Sequence, residues 1–146
     1  MLSRHLHGRS IGLLMAFIVA AGPSTSHAAE AGKPAELIGT WSGTSVCTDR
    51  VAAPACKDET VVYEFTQRKE TGIVHWEADK VVDGKREPMG GFDLEYDATE
   101  HCWKAQFVSP RVRMVWRVVV AGDRLTGSAT MLPGGEKVRR IEAKRN

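Results

Sequence analysis

The sequence predicts an all-β protein that folds as an eight-stranded antiparallel up-and-down β-barrel. From Ile38 onward the chain consists of short runs in which apolar and polar residues alternate, which is the period of a half-buried strand. Turn residues such as Asp83-Gly84 separate these runs, and nearly all the connections have the length of a hairpin. Successive hairpins of this kind can close into a barrel, which removes the exposed edges of an open sheet.

Each strand is bounded by its own turn signal, and the valine-rich sixth strand has the highest β propensity. Pro88 and the pair Gly90-Gly91 are expected to loosen the entry to the fourth strand. Turns are predicted at 69–72, 83–84, 97–100, 109–110, 121–123 and 133–135. The predicted strands are 38–47, 60–66, 73–82, 92–96, 101–108, 111–120, 124–131 and 136–144.

Alternation also predicts which side chains face the interior of the barrel. All four tryptophans fall on inward faces, so the interior has an aromatic lining. An eight-stranded barrel holds either a packed interior or one small ligand. If there is a ligand site, we expect the large inward side chains to line it: Tyr63, Trp76, Phe92, Leu94, Trp103, Phe107, Met114 and Trp116.

The first 28 residues have the pattern of a secretory signal peptide. Arg4 and Arg9 form a basic start, 11–21 is an apolar run, and Ser26-His27-Ala28 offers a cleavage site of small residues. The apolar run is shorter than the roughly 20 residues that span a bilayer. The sequence therefore predicts a periplasmic or secreted protein.

Cleavage before Ala29 or Glu30 would leave one domain. We assign 1–28 to the signal peptide, 29–36 to a flexible linker and 37–146 to the barrel. The whole chain has 20 basic and 18 acidic residues, and removal of the two arginines of the signal peptide leaves 18 against 18. A mature protein without net charge gives no electrostatic case for binding nucleic acid or an anionic membrane, and no stable membrane anchor is expected after cleavage.

Three cysteines lie in the mature part, where export would place them in an oxidising compartment. Cys47 and Cys56 flank a segment of turn residues, and a disulfide between them would close this loop onto the strand ends. The carboxylates of Asp58-Glu59 could form hydrogen bonds at the mouth of the loop. Cys102 is then left over, either as a buried inert thiol or as a thiol for intermolecular pairing or redox chemistry.

Neither catalysis nor a metal site is expected. The mature histidines, His75 and His101, belong to no motif of a catalytic nucleophile. His101 and Cys102 are neighbours in a predicted strand, so their side chains point to opposite faces and cannot act as a pair. No mature cysteine or histidine has a C-x-x-C or H-x-x-x-H spacing. The sequence predicts a protein that is not an enzyme and uses no cofactor.

The start of the first strand carries a further signal. Gly39 lies two residues before Trp41, and the inward neighbours of the tryptophan are small. The segments 41–47, 54–59, 61–63 and 125–130 complete the pattern. In these residues the chain resembles the calycins (lipocalins, fatty-acid-binding proteins and avidins) and, among them, small exported bacterial lipocalin-like proteins of unassigned function. The resemblance implies that an arginine of the last strand, Arg139 or Arg140, packs across Trp41 and closes that end of the barrel.

Two functions are compatible with this sequence. The first is a carrier or sensor that takes a small apolar or amphipathic molecule into the barrel, where the resemblance to fatty-acid-binding proteins implies that Arg140 receives a carboxylate. Alternatively, the arginine only stacks on Trp41 through a cation–π contact. The second function is a packed barrel that binds a protein partner in the cell envelope, as an interaction or inhibitor-like module, through the loops 48–57 and 84–91. A cavity on the order of several hundred Å³ would favour the first.

Overall fold

A computed structural model describes residues 34–70 and 72–146, and the predicted signal peptide lies outside them. Every strand pairs antiparallel with the next, and the last pairs with the first, so the predicted eight-stranded barrel is confirmed. The elements are α1 (Pro34–Leu37), β1 (Gly39–Cys47), β2 (Glu59–Gln67), β3 (Ile73–Val82), β4 (Lys85–Asp97), β5 (Cys102–Val108), β6 (Arg113–Ala121), β7 (Arg124–Met131) and β8 (Lys137–Arg145).

The helical turn α1 includes residues 34–36, which the sequence predicts to be the end of a flexible linker. Pro34 lies at its first position, where the missing N–H has no helical partner to lose. The turn ends at Leu37, whose side chain is fully buried at one end of the barrel. Within the part of the chain that the structure describes, no helix is long and apolar enough to span a membrane.

The barrel is closed by the pairing of β1 with β8. Their register places Trp41 opposite Arg145 and Gly43 opposite Ala143. A Cβ atom on Gly43 would run into the carbonyl oxygen of Glu142 and the Cα of Ala143, so glycine is what allows the two strands to come this close.

Trp41 is fully buried at the end of the barrel that α1 covers, which we call the closed end. Its Nε1–H donates a hydrogen bond to the carbonyl oxygen of Leu37 (2.9 Å), which ties α1 to β1. The guanidinium carbon of Arg145 lies 4.3 Å from the centre of the Trp41 ring, within cation–π distance. The same guanidinium donates to the carbonyl oxygens of Ile38 (2.6 Å) and Glu36 (2.5 Å). The Trp41 ring, the Arg145 guanidinium and the backbone carbonyl groups of 36–38 together close this end of the barrel.

The arginine over Trp41 is therefore Arg145, and the prediction of Arg139 or Arg140 is wrong. The register of β1 and β8 decides the matter, because it aligns Arg145 with Trp41 and Arg139 with Cys47 at the far end of β1. Arg139 faces the interior near the opposite, open end. Arg140 is exposed on the outer surface, where its Nε lies 3.5 Å from Oε1 of Glu142.

A packed hydrophobic core fills the interior next to the closed end. Each strand contributes inward side chains at every second position, as the alternation predicts. Burying an aliphatic or aromatic side chain of this size contributes about 1.5–3 kcal/mol, which makes this core the main source of stability. Besides Leu37 and Trp41, its members include Phe65, Val74, Leu94, Trp103, Val118, Leu125 and Ile141.

Strand β4 is much longer than the predicted strand 92–96, because it begins directly after the Asp83-Gly84 turn. Both turn residues have positive φ angles (51° and 76°), as a tight hairpin requires. The register between β3 and β4 shifts after Ala78 and leaves Met89 without a partner, which is a β-bulge. The bulge accommodates Pro88, so the strand continues past the proline instead of ending there.

The pairing of β4 with β5 is short. It covers only 95–97 and 102–104, whereas β5 continues to pair with β6 as far as Val108. The remaining residues of the two strands, 85–94 of β4 and 105–108 of β5, do not pair with each other, and we call this gap the β4–β5 seam. Met89, Phe107 and Val108 are exposed apolar side chains of the two strands that border it.

Candidate functional site

The barrel contains an apolar cavity of about 700 Å³ near its open end. This volume lies within the range of roughly 300–1,000 Å³ that is typical of small-molecule sites. Met89 and Phe107 line the cavity and are also 41% and 43% exposed, so it opens to solvent beside the β4–β5 seam. Packed core and cavity thus share one barrel, the core toward the closed end and the cavity toward the other.

Six of the eight side chains predicted to line a ligand site border this cavity: Tyr63, Trp76, Phe92, Phe107, Met114 and Trp116. The prediction does not hold for Leu94 and Trp103, which belong to the packed core. Alternation indicates whether a side chain points inward, but not how far along the barrel axis it lies. Both of these residues point inward at the level of the core.

Trp76 lies at the centre of a cluster of aromatic side chains that line the cavity. Its ring centre lies 4.8 Å from that of Tyr63, 5.0 Å from Phe92 and 5.5 Å from Trp116, with interplanar angles of 88°, 68° and 89°. Such edge-to-face pairs are the preferred arrangement of aromatic rings. The Nε1–H of Trp76 is buried and has no hydrogen-bond acceptor among the residues that the structure describes.

An ion pair lies in the wall of the mostly apolar cavity. Nη1 of Arg139 lies 3.0 Å from Oε2 of Glu59 and donates a hydrogen bond to Oγ of Ser45 (2.7 Å). Nη2 donates to the carbonyl oxygen of Lys57 (3.1 Å). The side chains of Arg139 and Glu59 are only 15% and 21% exposed, so each is the main neutralising partner of the other.

The predicted disulfide between Cys47 and Cys56 is present and closes the loop between β1 and β2. Residues 52–56 of this loop form one side of the cavity. Asp58 fixes the base of the loop, because its Oδ1 accepts a hydrogen bond from the backbone N–H of Cys47 (2.7 Å). That bond, with a second from Arg50, holds the pKa of the Asp58 carboxyl below its ordinary value. The structural role predicted for Asp58 is confirmed.

Sequence reasoning missed the polar part of the cavity and the contribution of the loop. Glu59 precedes Val61 and Tyr63 on the same face of β2, so strict alternation could have placed it inside. The loop has no periodicity, and nothing in its sequence indicates that it folds against the opening.

Burial raises the pKa of Tyr63 to about 12, so its phenol remains protonated and able to donate a hydrogen bond.

Comparison with protein-family models and with curated proteins finds no match to this chain. The closed eight-stranded antiparallel barrel is consistent with a calycin-like fold. The assignment of a function therefore depends on the cavity itself.

His75, His101 and the free cysteine Cys102 do not border the cavity. His101 is exposed in the turn before β5, so the predicted strand 101–108 begins one residue too early. His75 lies on the outer face of β3, with Nδ1 2.5 Å from Oδ1 of Asp93 and Nε2 2.8 Å from Oε1 of Glu77. Cys102 is buried, and burial raises the pKa of its thiol, which favours the inert alternative.

The ion pairs of His75 predict a pH dependence of stability. Burial lowers the pKa of His75, but its hydrogen bonds to Glu77 and Asp93 outweigh this and leave the pKa above the ordinary 6.5. A raised pKa in the folded state stabilises the fold below the unfolded value, and this contribution is lost as the pH rises through the folded value. Asp93 acts in the opposite direction, because its lowered pKa gives a contribution that is lost only in acid.

We therefore expect His75→Gln to be less stable than the wild type at about pH 5.5 and nearly equal to it at about pH 9. The difference should stay below about 1 kcal/mol because the carboxylates are exposed. Urea unfolding at the two pH values measures it. Val119→Ala, at an exposed position on β6 without a titratable side chain, serves as the control and should show no such trend. A His75→Gln effect of equal size at both pH values would contradict the ion-pair explanation.

Proposed function

We propose that this protein is an exported, non-enzymatic β-barrel that takes a small apolar or amphipathic molecule into the cavity beside Trp76 and Trp116. The supporting observation is the cavity of about 700 Å³, with aromatic walls and a few polar groups on one side. That composition is typical of small-molecule sites. Met89, Met114 and Met131 add flexible apolar surface that can adapt to the shape of a ligand.

The location and the family are part of this proposal. A disulfide persists in oxidising compartments, so the Cys47–Cys56 bridge supports a periplasmic or secreted protein, as does the signal-peptide pattern of 1–28. The Gly39-x-Trp41 motif, with Arg145 stacked on the ring, supports its placement among lipocalin-like proteins.

Calorimetric titration of the oxidised protein with a panel of apolar and amphipathic molecules tests the proposal. We expect saturable binding of at least one class, together with a change in the emission of Trp76 and Trp116. Ala78→Trp, which places a large side chain in the cavity wall, should weaken that binding at least about tenfold because it removes space that the ligand needs.

Val119→Trp is the matched control, since Val119 is 43% exposed on β6 and does not border the cavity. It should bind like the wild type. Absence of binding across the panel, or equal weakening by both variants, would reject the cavity as the site. Recovery of a specific protein partner from the cell envelope under those circumstances would favour the alternative, an interaction module that binds through its loops.

A further inference from the structure

We propose that the cavity selects a neutral ligand, an apolar chain or ring system with an uncharged polar end, and that Glu59 is the residue that excludes free carboxylates. This inference rests on the proposed ligand-binding function. It is the opposite of what an interior arginine alone would suggest, and it follows from what already surrounds Arg139.

The guanidinium of Arg139 is already engaged on both terminal nitrogens. Nη1 is shared between Glu59 and Ser45, and Nη2 donates to the carbonyl oxygen of Lys57 (3.1 Å) and to Sγ of Cys56 (3.4 Å). A ligand carboxylate could form a bidentate pair with the two terminal nitrogens only by displacing protein acceptors. Two of those, Lys57 and Cys56, belong to the loop that forms the cavity wall, so displacement would also loosen the wall.

The charge of Arg139 is also already neutralised. Its carboxylate partner Glu59 lines the same cavity, so an incoming anion would meet a second negative charge close to the cation. Moving a carboxylate from water into apolar surroundings is costly unless it gains its own counter-charge. A hydroxyl, ester or amide loses far less on transfer. A hydroxyl or amide N–H of the ligand can donate a hydrogen bond to the Glu59 carboxylate, and the hydroxyls of Ser45 and Tyr63 can donate to a carbonyl oxygen of the ligand.

Arg111 is the other cation in the lining, and it is the position from which an anion could be held instead. It lies in the exposed loop between β5 and β6 and forms no ion pair with any described residue. Water and salt screen a charge at such a position, so its attraction for a carboxylate is weak compared with the cost of removing that carboxylate from water. The neutral end group is therefore favoured over the acid.

The test compares a fatty alcohol, its methyl ester and the acid of the same chain length, each titrated by calorimetry at neutral pH. For the wild type we expect the alcohol and the ester to bind at least about tenfold more tightly than the acid. Glu59→Gln leaves Arg139 without its counter-charge, so the acid should gain at least about tenfold while the alcohol changes by less than about threefold.

Glu64→Gln is the matched control, because Glu64 lies on the same strand and pairs with Arg86 on the outer surface (3.0 Å). It should leave the ranking of the three compounds unchanged. An acid that binds the wild type as tightly as the alcohol would overturn the inference. If Arg111→Gln then abolishes the binding of the acid, the anion is held at the opening.

Should Glu59→Gln fail to fold, the order in which the wild type binds the alcohol, the ester and the acid still decides whether the cavity selects neutral ligands. Failure of the proposed function is distinguishable, because in that case none of the three compounds and no member of the wider panel binds. Binding of panel members without any preference for the alcohol or the ester over the acid rejects only the selectivity.

Discussion

Replacement of Trp41 by alanine is expected to lower the free energy of unfolding by about 3–5 kcal/mol. The side chain is fully buried, it donates a hydrogen bond to Leu37, and it is the surface on which the guanidinium of Arg145 stacks. Its loss leaves a void at the closed end and removes one of the hydrogen bonds that hold α1 there. Since small domains are stable by about 5–15 kcal/mol, this is a large share of the total.

Urea unfolding followed by circular dichroism measures the effect, with Val119→Ala as the control for an exposed strand position. Trp41→Phe separates the two contributions, because it keeps most of the apolar surface and loses the hydrogen bond to the Leu37 carbonyl. We expect it to fall between the wild type and the alanine variant. A loss below about 1 kcal/mol for the alanine variant would mean that the closed end does not depend on the tryptophan.

Removal of the disulfide by Cys47→Ser with Cys56→Ser is expected to cost about 2–3 kcal/mol of stability. The bridge closes a short loop, and its loss increases the conformational freedom of the unfolded chain. Residues 52–56 form one side of the cavity, so the ligand affinity should fall as well. The same unfolding and titration experiments measure both effects.

Val51→Ala is the control for this loop, because Val51 is 92% exposed. It should leave stability and affinity unchanged. If the double variant loses stability but binds with unaltered affinity, the loop contributes to the fold and not to the site. If neither property changes, the hydrogen bonds of Asp58 and Thr48 suffice to hold the loop without the bridge.

The architecture was predictable because the signal that defines it repeats along the chain. Alternation assigned Trp76, Trp116 and the other inward side chains to the interior, and the turn residues marked nearly every hairpin. The identity of the arginine on Trp41 was not predictable in the same way. It depends on the register between the first strand and the last, and neither local periodicity nor turn chemistry carries that information over such a separation in sequence.

The candidate site was predictable on one side only. The apolar wall follows from alternation, but the pairing of Glu59 with Arg139 joins residues that are 80 positions apart, and only closure of the barrel brings them together. The length of β4 was missed because Pro88 and the two glycines after it are typical of a strand end. A bulge accommodates them, and a bulge is specified by the partner strand as much as by the residues within it.

The seam between β4 and β5 affects where water molecules can lie in the cavity. Backbone N–H and C=O groups along the unpaired stretches still require hydrogen-bond partners, and where no strand supplies them water must do so. The apolar side chains that line the cavity, among them Trp76 and Trp116, offer water few hydrogen-bond partners. We therefore expect ordered water to lie along the seam and not against these rings. A guest molecule that leaves the seam water in place would gain its free energy of association mainly from contact with the rings.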